Sequence, residues 1–288
     1  MSDTDALTPF LFEGQHLRGE MAHLDASWRA VLERRPYPQP VRDLLGQAMA
    51  ATALLIGTVK LTGRLTLQIQ STGPVRLVLV QCSNNRRIRG LARWETLPDS
   101  GRIGDLCPNG TLAITLEPEA GQQYQGIVDL GEVGVSEALE RYFAQSEQLP
   151  TRLWLAADDQ RASGLLLQRL PAEVYEDADA WNRAQQLAST CTPAELLGLE
   201  APTLIRRLFH EEDIRLFDSE PVAFRCTCSR QTIERVLQGL GHEEVRDIVA
   251  DRGTVDVACE FCGQRYVFDQ VDAEALFSGS LPAAPSRH

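Results

Sequence analysis

Residues 224–230 read Phe224-Arg225-Cys226-Thr227-Cys228-Ser229-Arg230, and residues 259–263 read Cys259-Glu260-Phe261-Cys262-Gly263. The pattern is C-x-C, an interval of thirty residues, then C-x-x-C. Two close pairs supply four thiolates to one tetrahedral Zn2+, a borderline-soft cation that favours sulfur. The glycine after the second pair helps the backbone turn around a metal. The segment that carries them is short and its apolar faces are small, so it needs a staple, and in a reducing compartment a metal is the staple at hand. The spacing therefore predicts that Cys226, Cys228, Cys259 and Cys262 hold one zinc ion.

Around the cysteines the sequence reads as a small α+β unit, residues 222–288. Ser229 is a candidate helix N-cap, and Ile233, Val236, Leu237 and Leu240 recur at i, i+3, i+4, i+7, one apolar helix face. Val245, Ile248 and Val249 suggest a second short helix. Thr254–Ala258 and Tyr266–Phe268 read as a hairpin flanking the second cysteine pair. The tail 279–288 (GSLPAAPSRH) has the composition of a disordered end.

Upstream, residues 176–221 predict a helical linker broken by Pro193 and Pro202. Its last piece carries an apolar stripe, Leu204, Ile205, Leu208 and Phe209, opposite a charged face, and such a stripe must bury against something. Residues 1–175 predict a mixed core of β-sheet and helices, so the chain reads as α+β. Asp43–Gly57 reads as a helix stopped at its glycine. Arg64–Gln70, Val75–Val80, Thr111–Leu116, Gln125–Leu130, Leu153–Ala157 and Leu165–Gln168 read as strands, and Ser136–Gln148 as a helix with a polar end. For that end, Gln145 to Gln148, the expectation is hydrogen bonding to nearby backbone and no catalytic role. No glycine-rich phosphate loop follows a strand, which argues against a doubly wound nucleotide-binding domain.

The formal net charge is -12, and residues 171–220 hold 11 acids against 4 bases. Such a chain is a poor partner for phosphate backbones, which call for clustered positive charge. No apolar run approaches the roughly 20 residues that span a bilayer, and MSDTDALTPF is acidic where a secretory signal would be basic. The chain is expected to be cytoplasmic. Seven cysteines with no such signal argue against a disulfide framework, and the isolated Cys82, Cys107 and Cys191 read as small buried hydrophobes. The five histidines are scattered, and four sulfurs already complete a zinc shell.

Four thiolates leave no coordination position for substrate, so a zinc hydrolase is not expected and the site reads first as structural. The same sulfurs are the reactive form of cysteine. Disulfides between sequence neighbours close loops of only three or four residues and constrain the unfolded chain little, so oxidation is expected to unfold the unit. If the 204–209 stripe packs between this unit and the N-terminal sheet, loss of the metal would free apolar surface able to hold unfolded proteins. Two rival readings stand beside this one. A zinc-ribbon module for nucleic acid or protein would use Arg225, Arg230, Arg235, Arg246, Arg252 and Arg265, although acids outnumber bases there. A thiol oxidoreductase would use Cys259 and Cys262, although the βαβ context is missing and the C-x-C pair would be idle.

Longer stretches carry a family resemblance. They include Arg18-Gly19-Glu20, Thr66-Leu67-Gln68-Ile69-Gln70 with Gly73-Pro74, Gly110-Thr111-Leu112-Ala113-Ile114-Thr115, and Tyr124-Gln125-Gly126-Ile127-Val128. The most specific is Tyr142-Phe143-Ala144-Gln145-Ser146-Glu147-Gln148-Leu149-Pro150-Thr151, together with the two cysteine stretches extended to Tyr266. Over nearly its whole length the chain resembles the heat shock protein 33 family, bacterial redox-regulated holdase chaperones. The resemblance implies a cytoplasmic, ATP-independent protein with no enzymatic activity, inactive when reduced and zinc-bound. It implies disulfides Cys226–Cys228 and Cys259–Cys262 on oxidation, loss of zinc, unfolding of the C-terminal domain and linker, capture of unfolding client proteins, and a homodimer on activation. Leu204, Ile205, Leu208 and Phe209, with the exposed N-terminal sheet, are the expected client surface.

Overall fold

The first two strands, β1 (Ala6–Phe12) and β2 (Leu17–Leu24), show no apolar–polar alternation because both of their faces are covered. Leu7, Ala22 and Leu24 face one core, while Phe10, Phe12, Leu17 and Met21 face another. Successive strand residues point to opposite sides, so two-sided burial erases the period of two that marks a strand in sequence. These strands escaped the sequence reading for that reason. The protein is seen in a computed structural model that describes residues 5–96, 100–172 and 177–278. By contact it divides into two compact units, Met1–Arg225 and Cys226–His288.

Helices α1 (Ala26–Leu32) and α2 (Gln39–Thr58) follow. Thirteen of the twenty residues of α2 are buried, many of them alanine, because it packs against β2 and the two later strands of the first sheet and against the second sheet as well. The helix begins before the expected Asp43 and runs past Gly57, so that glycine is not its stop. A Cβ at Gly57 would overlap the carboxylate of Glu20 on β2, and the glycine is there to seat that side chain. Gly19 has the same duty on the other face, where the Phe10 ring lies over it.

The second sheet is built from β3 (Gly63–Gln70), β4 (Val75–Ser83), β5 (Arg87–Trp94), β6 (Thr111–Pro118) and β7 (Tyr124–Asp129), with the single turn α3 (Ile103–Leu106) between β5 and β6. Strand β5 was not foreseen. Next come α4 (Val135–Tyr142) and a π-helical turn, Phe143–Glu147, where one continuous helix to Gln148 was expected. Gln148 closes the turn in the left-handed region at φ 55°. Then β8 (Thr151–Ala157) and β9 (Ala162–Arg169) pair with each other, β9 also pairing with β2 and β8 forming an edge of the first sheet.

The acidic segment contains α5 (Ala180–Ala188), α6 (Pro193–Gly198) and α7 (Ala201–Leu208), with prolines at the starts of the last two as the sequence indicated. Thr192 and Glu195 form a reciprocal capping box at α6. The chain returns through β10 (Ile214–Leu216), β11 (Glu220–Pro221) and β12 (Ala223–Phe224). The first sheet runs β10-β1-β2-β9-β8 with β11 also on β1, and the second runs β12-β5-β4-β3-β6-β7. All pairings are antiparallel except β12 on β5.

The second unit holds α8 (Arg230–Leu240), α9 (His242–Arg252), the hairpin β13 (Val255–Ala258) and β14 (Arg265–Phe268), and α10 (Gln270–Ser278). Its core is Leu237, Val245, Val249, Val255, Phe268 and Ala273. The apolar face expected on α8 is only partly used. Leu237 is buried, but Val236 and Leu240 are 56% and 54% exposed, because a unit this small covers one side of the helix alone. The tail expected to be disordered, 279–288, lies outside the described residues. Among those residues no helix is long and apolar enough to cross a membrane.

Candidate metal centre

Cys226 and Cys228 lie in the extended segment between β12 and α8, where Ser229 caps the helix by accepting from the Thr232 amide at 3.2 Å. Cys259 and Cys262 lie in the turn of the β13–β14 hairpin. Pairing of Ala258 with Arg265 closes that hairpin, the Cys259 amide donates to the Gln264 carbonyl at 2.9 Å, and the Gly263 amide donates to the Cys259 carbonyl at 2.7 Å. Gly263 takes φ +72°, the left-handed conformation anticipated for a glycine after the pair.

The hairpin turn brings its two sulfurs to those of the first pair. All four Sγ atoms lie within 4.8 Å of one another. Cys226 and Cys259 sulfurs are 3.6 Å apart, and those of Cys228 and Cys262 are 3.4 Å apart. A tetrahedral zinc–thiolate shell has sulfur–sulfur edges of about 3.8 Å, so the four residues fit one ion. Among the described residues no other group of three or more His, Cys, Asp or Glu side chains has this geometry.

The electrostatics point the same way. Burial and the neighbouring sulfurs of Cys228, Cys226 and Cys259 push the Cys262 thiol up to about 12, and burial with the Cys226 contact raises Cys259. Four thiolates do not coexist at this spacing without a cation among them. Backbone N–H groups of Cys262 and Phe261 act to lower the Cys259 thiol, and that of Gln264 acts to lower the Cys262 thiol, against this rise. The Tyr266 hydroxyl donates to Cys228 Sγ at 3.3 Å. The sequence marks Tyr266 as a strand residue and as the end of a family-like stretch; its place opposite Val257, beside the cysteine turn, is a matter of register.

His242 is occupied elsewhere, 3.2 Å from Glu274 and 4.9 Å from the Phe277 ring at a 42° tilt. Cys82 and Cys107 are buried, with thiols pushed up by desolvation to about 12 and about 11. Cys191 is half-buried, its thiol also raised by burial.

The 204–209 stripe lies in the first unit. Leu204, Ile205, Leu208 and Phe209 are 0–2% exposed and pack on the face of the first sheet made by Phe10, Phe12, Leu17, Met21, Leu165 and Leu167. The Phe209 ring meets Phe12 edge-on at 5.0 Å and Phe10 at 6.0 Å. Ion pairs pin the outer side of these helices: Arg207 to Glu195 and Arg183 to Glu212, each at 2.6 Å, with Gln15 donating to Glu212 at 2.7 Å.

The family model described as Hsp33 protein matches residues 5–269. The 33 kDa chaperonin of Ectopseudomonas mendocina is 49% identical over 285 residues, covering 96% of this chain and 97% of that protein. That of Nitrosococcus oceani is 48% identical over 290 residues and covers both chains fully. Among solved structures, the 33 kDa chaperonin (heat shock protein 33 homolog) of Thermotoga maritima shares the fold, with a TM-score of 0.83 at 20% identity over 96% of this chain and 98% of that one.

Proposed function

The chain belongs to the Hsp33 family, and on that footing we propose that it is a redox-regulated, ATP-independent holdase chaperone of the cytoplasm. The observation that carries this reading is the four-sulfur cluster at the heart of a unit with a very small core. A Zn2+ held there would keep the four sulfurs as thiolates and tie the extended segment to the hairpin.

The cysteines do the switching. A thiolate attacks an oxygen of peroxide, the O–O bond breaks, and the sulfenate that forms is attacked by a neighbouring thiolate to give a disulfide. Two electrons pass from the two sulfurs to the peroxide, which takes up protons and departs as two waters. We assign the disulfides to Cys226–Cys228 and Cys259–Cys262 on the family resemblance; in the folded cluster Cys226 lies 3.6 Å from Cys259 and Cys228 3.4 Å from Cys262, contacts that run across the pairs. Disulfides within such short loops do not replace the crosslink between the pairs. The second unit then lacks its staple, and its six-residue core is too small to fold without one.

In this scheme residues 1–175 are the chaperone core, 176–221 the linker and 222–288 the switch. Unfolding of the switch is followed by unfolding of the linker. Release of Leu204, Ile205, Leu208 and Phe209 uncovers both that stripe and the sheet face of Phe10, Phe12, Leu17, Met21, Leu165 and Leu167. Contiguous apolar surface of this kind binds unfolding client proteins, and the active form is a homodimer. Neither ATP nor nucleic acid enters the scheme.

The test follows light scattering of a heat-denaturing client with reduced, zinc-loaded protein, with and without peroxide, while a chromogenic chelator reports free zinc. Suppressed aggregation that rises in step with zinc release supports the proposal. Zinc release without protection would make the site a staple only.

A further inference from the structure

Three of the clustered sulfurs differ in how they are held. The groups that ease charge on Cys259 and Cys262 are backbone N–H groups of their own turn, at Cys262, Phe261 and Gln264. Those donors are part of the backbone and persist as long as the turn does. Cys228 lies in an extended segment and takes a hydrogen bond from a side chain on another element, the Tyr266 hydroxyl of β14, at 3.3 Å. The Tyr266 ring also packs against the core of the unit, so its hydroxyl is aimed by that packing.

A hydrogen bond to a thiolate engages a sulfur lone pair and draws charge from it. Charge drawn into the hydrogen bond is not available to an electrophile, so the nucleophilicity of the sulfur falls. We propose that Tyr266 is a positioning residue of the switch: its hydroxyl holds Cys228 Sγ in the cluster and slows its reaction with oxidants, and so sets the oxidant dose at which the C-x-C pair is lost. The inference rests on the redox reading above. The step it governs is attack of the Cys228 thiolate on peroxide, in which the S–O bond forms, the O–O bond breaks and the departing oxygen leaves as water once protonated.

The full, zinc-loaded chain is compared with its Tyr266→Phe and Tyr266→Leu variants. Phenylalanine keeps the ring and removes only the hydroxyl; leucine removes both. Alkylation of each cysteine by iodoacetamide is followed by mass spectrometry, with Cys259 as the internal reference for the intactness of the turn. A lost hydrogen bond to the sulfur should speed Cys228 by about three- to tenfold in the phenylalanine variant, with Cys259 unchanged. The peroxide dose for half-release of zinc should fall by a similar factor, and zinc affinity by about tenfold. A phenylalanine variant that matches wild type at Cys228, while leucine alone accelerates it, would make the ring a packing element and overturn the proposal. Wild-type protein that keeps its zinc under excess peroxide would instead overturn the redox reading itself, and this inference with it.

Discussion

The Tyr142 hydroxyl donates to the Glu147 carboxylate at 2.6 Å, across five residues. That spacing belongs to the π-helical turn, which stacks residue i+5 over residue i where an α-helix would carry it past. The Leu149 amide bonds the Phe143 carbonyl at 3.0 Å to end the turn. The polar run from Gln145 to Gln148 thus has a job: Glu147 satisfies a phenol that is 4% exposed. Burial, then Glu147 itself, raises the Tyr142 phenol well above its ordinary range, so it stays a donor.

Glu147→Ala should therefore destabilise the first unit by about 1–2 kcal/mol, the cost of a buried hydroxyl losing an acceptor, while Glu147→Gln, which keeps an acceptor oxygen, should be near neutral. All four tryptophans precede residue 226, so urea unfolding followed by their fluorescence reports this unit. Equal stability of the alanine variant and wild type would remove the role assigned to the π-turn.

Metal removal should act on the second unit by itself. Chelation at neutral pH under reducing conditions is expected to expose the amides of α8, α9 and α10 to hydrogen exchange within seconds, while those of the buried α2 stay protected. Protection in α8–α10 that survives chelation would show a core sufficient without a staple.

Phe209→Ala removes a ring that is 1% exposed and packed on both Phe10 and Phe12. The expected cost is about 3–4 kcal/mol, taken mostly from the seating of α5–α7. Limited proteolysis should cut within 177–217 without oxidant, and client protection should lose part of its dependence on peroxide. Cleavage without any gain in protection would exclude the uncovered sheet face as the client surface.

Burial pushes the Glu20 carboxyl up to about 8, against the opposing charges of Arg18 and Arg86. At pH 7 the folded chain carries Glu20 protonated and the unfolded chain carries it ionised. The stability that this proton contributes is whole below about pH 4.5 and is lost as pH rises through about 8, with a slope of roughly 1.4 kcal/mol per pH unit between them. Glu20→Gln should flatten this part of the profile and be more stable than wild type at pH 7. Parallel urea-derived profiles for the two proteins from pH 5 to 8 would contradict the assignment.

Much of this protein was determined by sequence alone. Cysteine spacing picked out the four sulfurs that the fold gathers within 4.8 Å of one another, because a tetrahedral shell tolerates few arrangements of close pairs, and Pro193 and Pro202 marked helix starts because proline acts locally on its own backbone. Strands with one wet face, such as β3, declared themselves by alternation. Only the tertiary structure decided what depends on both sides of an element at once. Two-faced burial hid β1 and β2, and a carboxylate from a neighbouring strand turned Gly57 from a helix stop into a socket. The same holds for the seat of Phe209 on Phe12 and for the aim of Tyr266 at Cys228. Periodicity and spacing report what a residue needs from its surroundings; which distant residue supplies it is set by strand register and packing, and those exist only once the chain has folded.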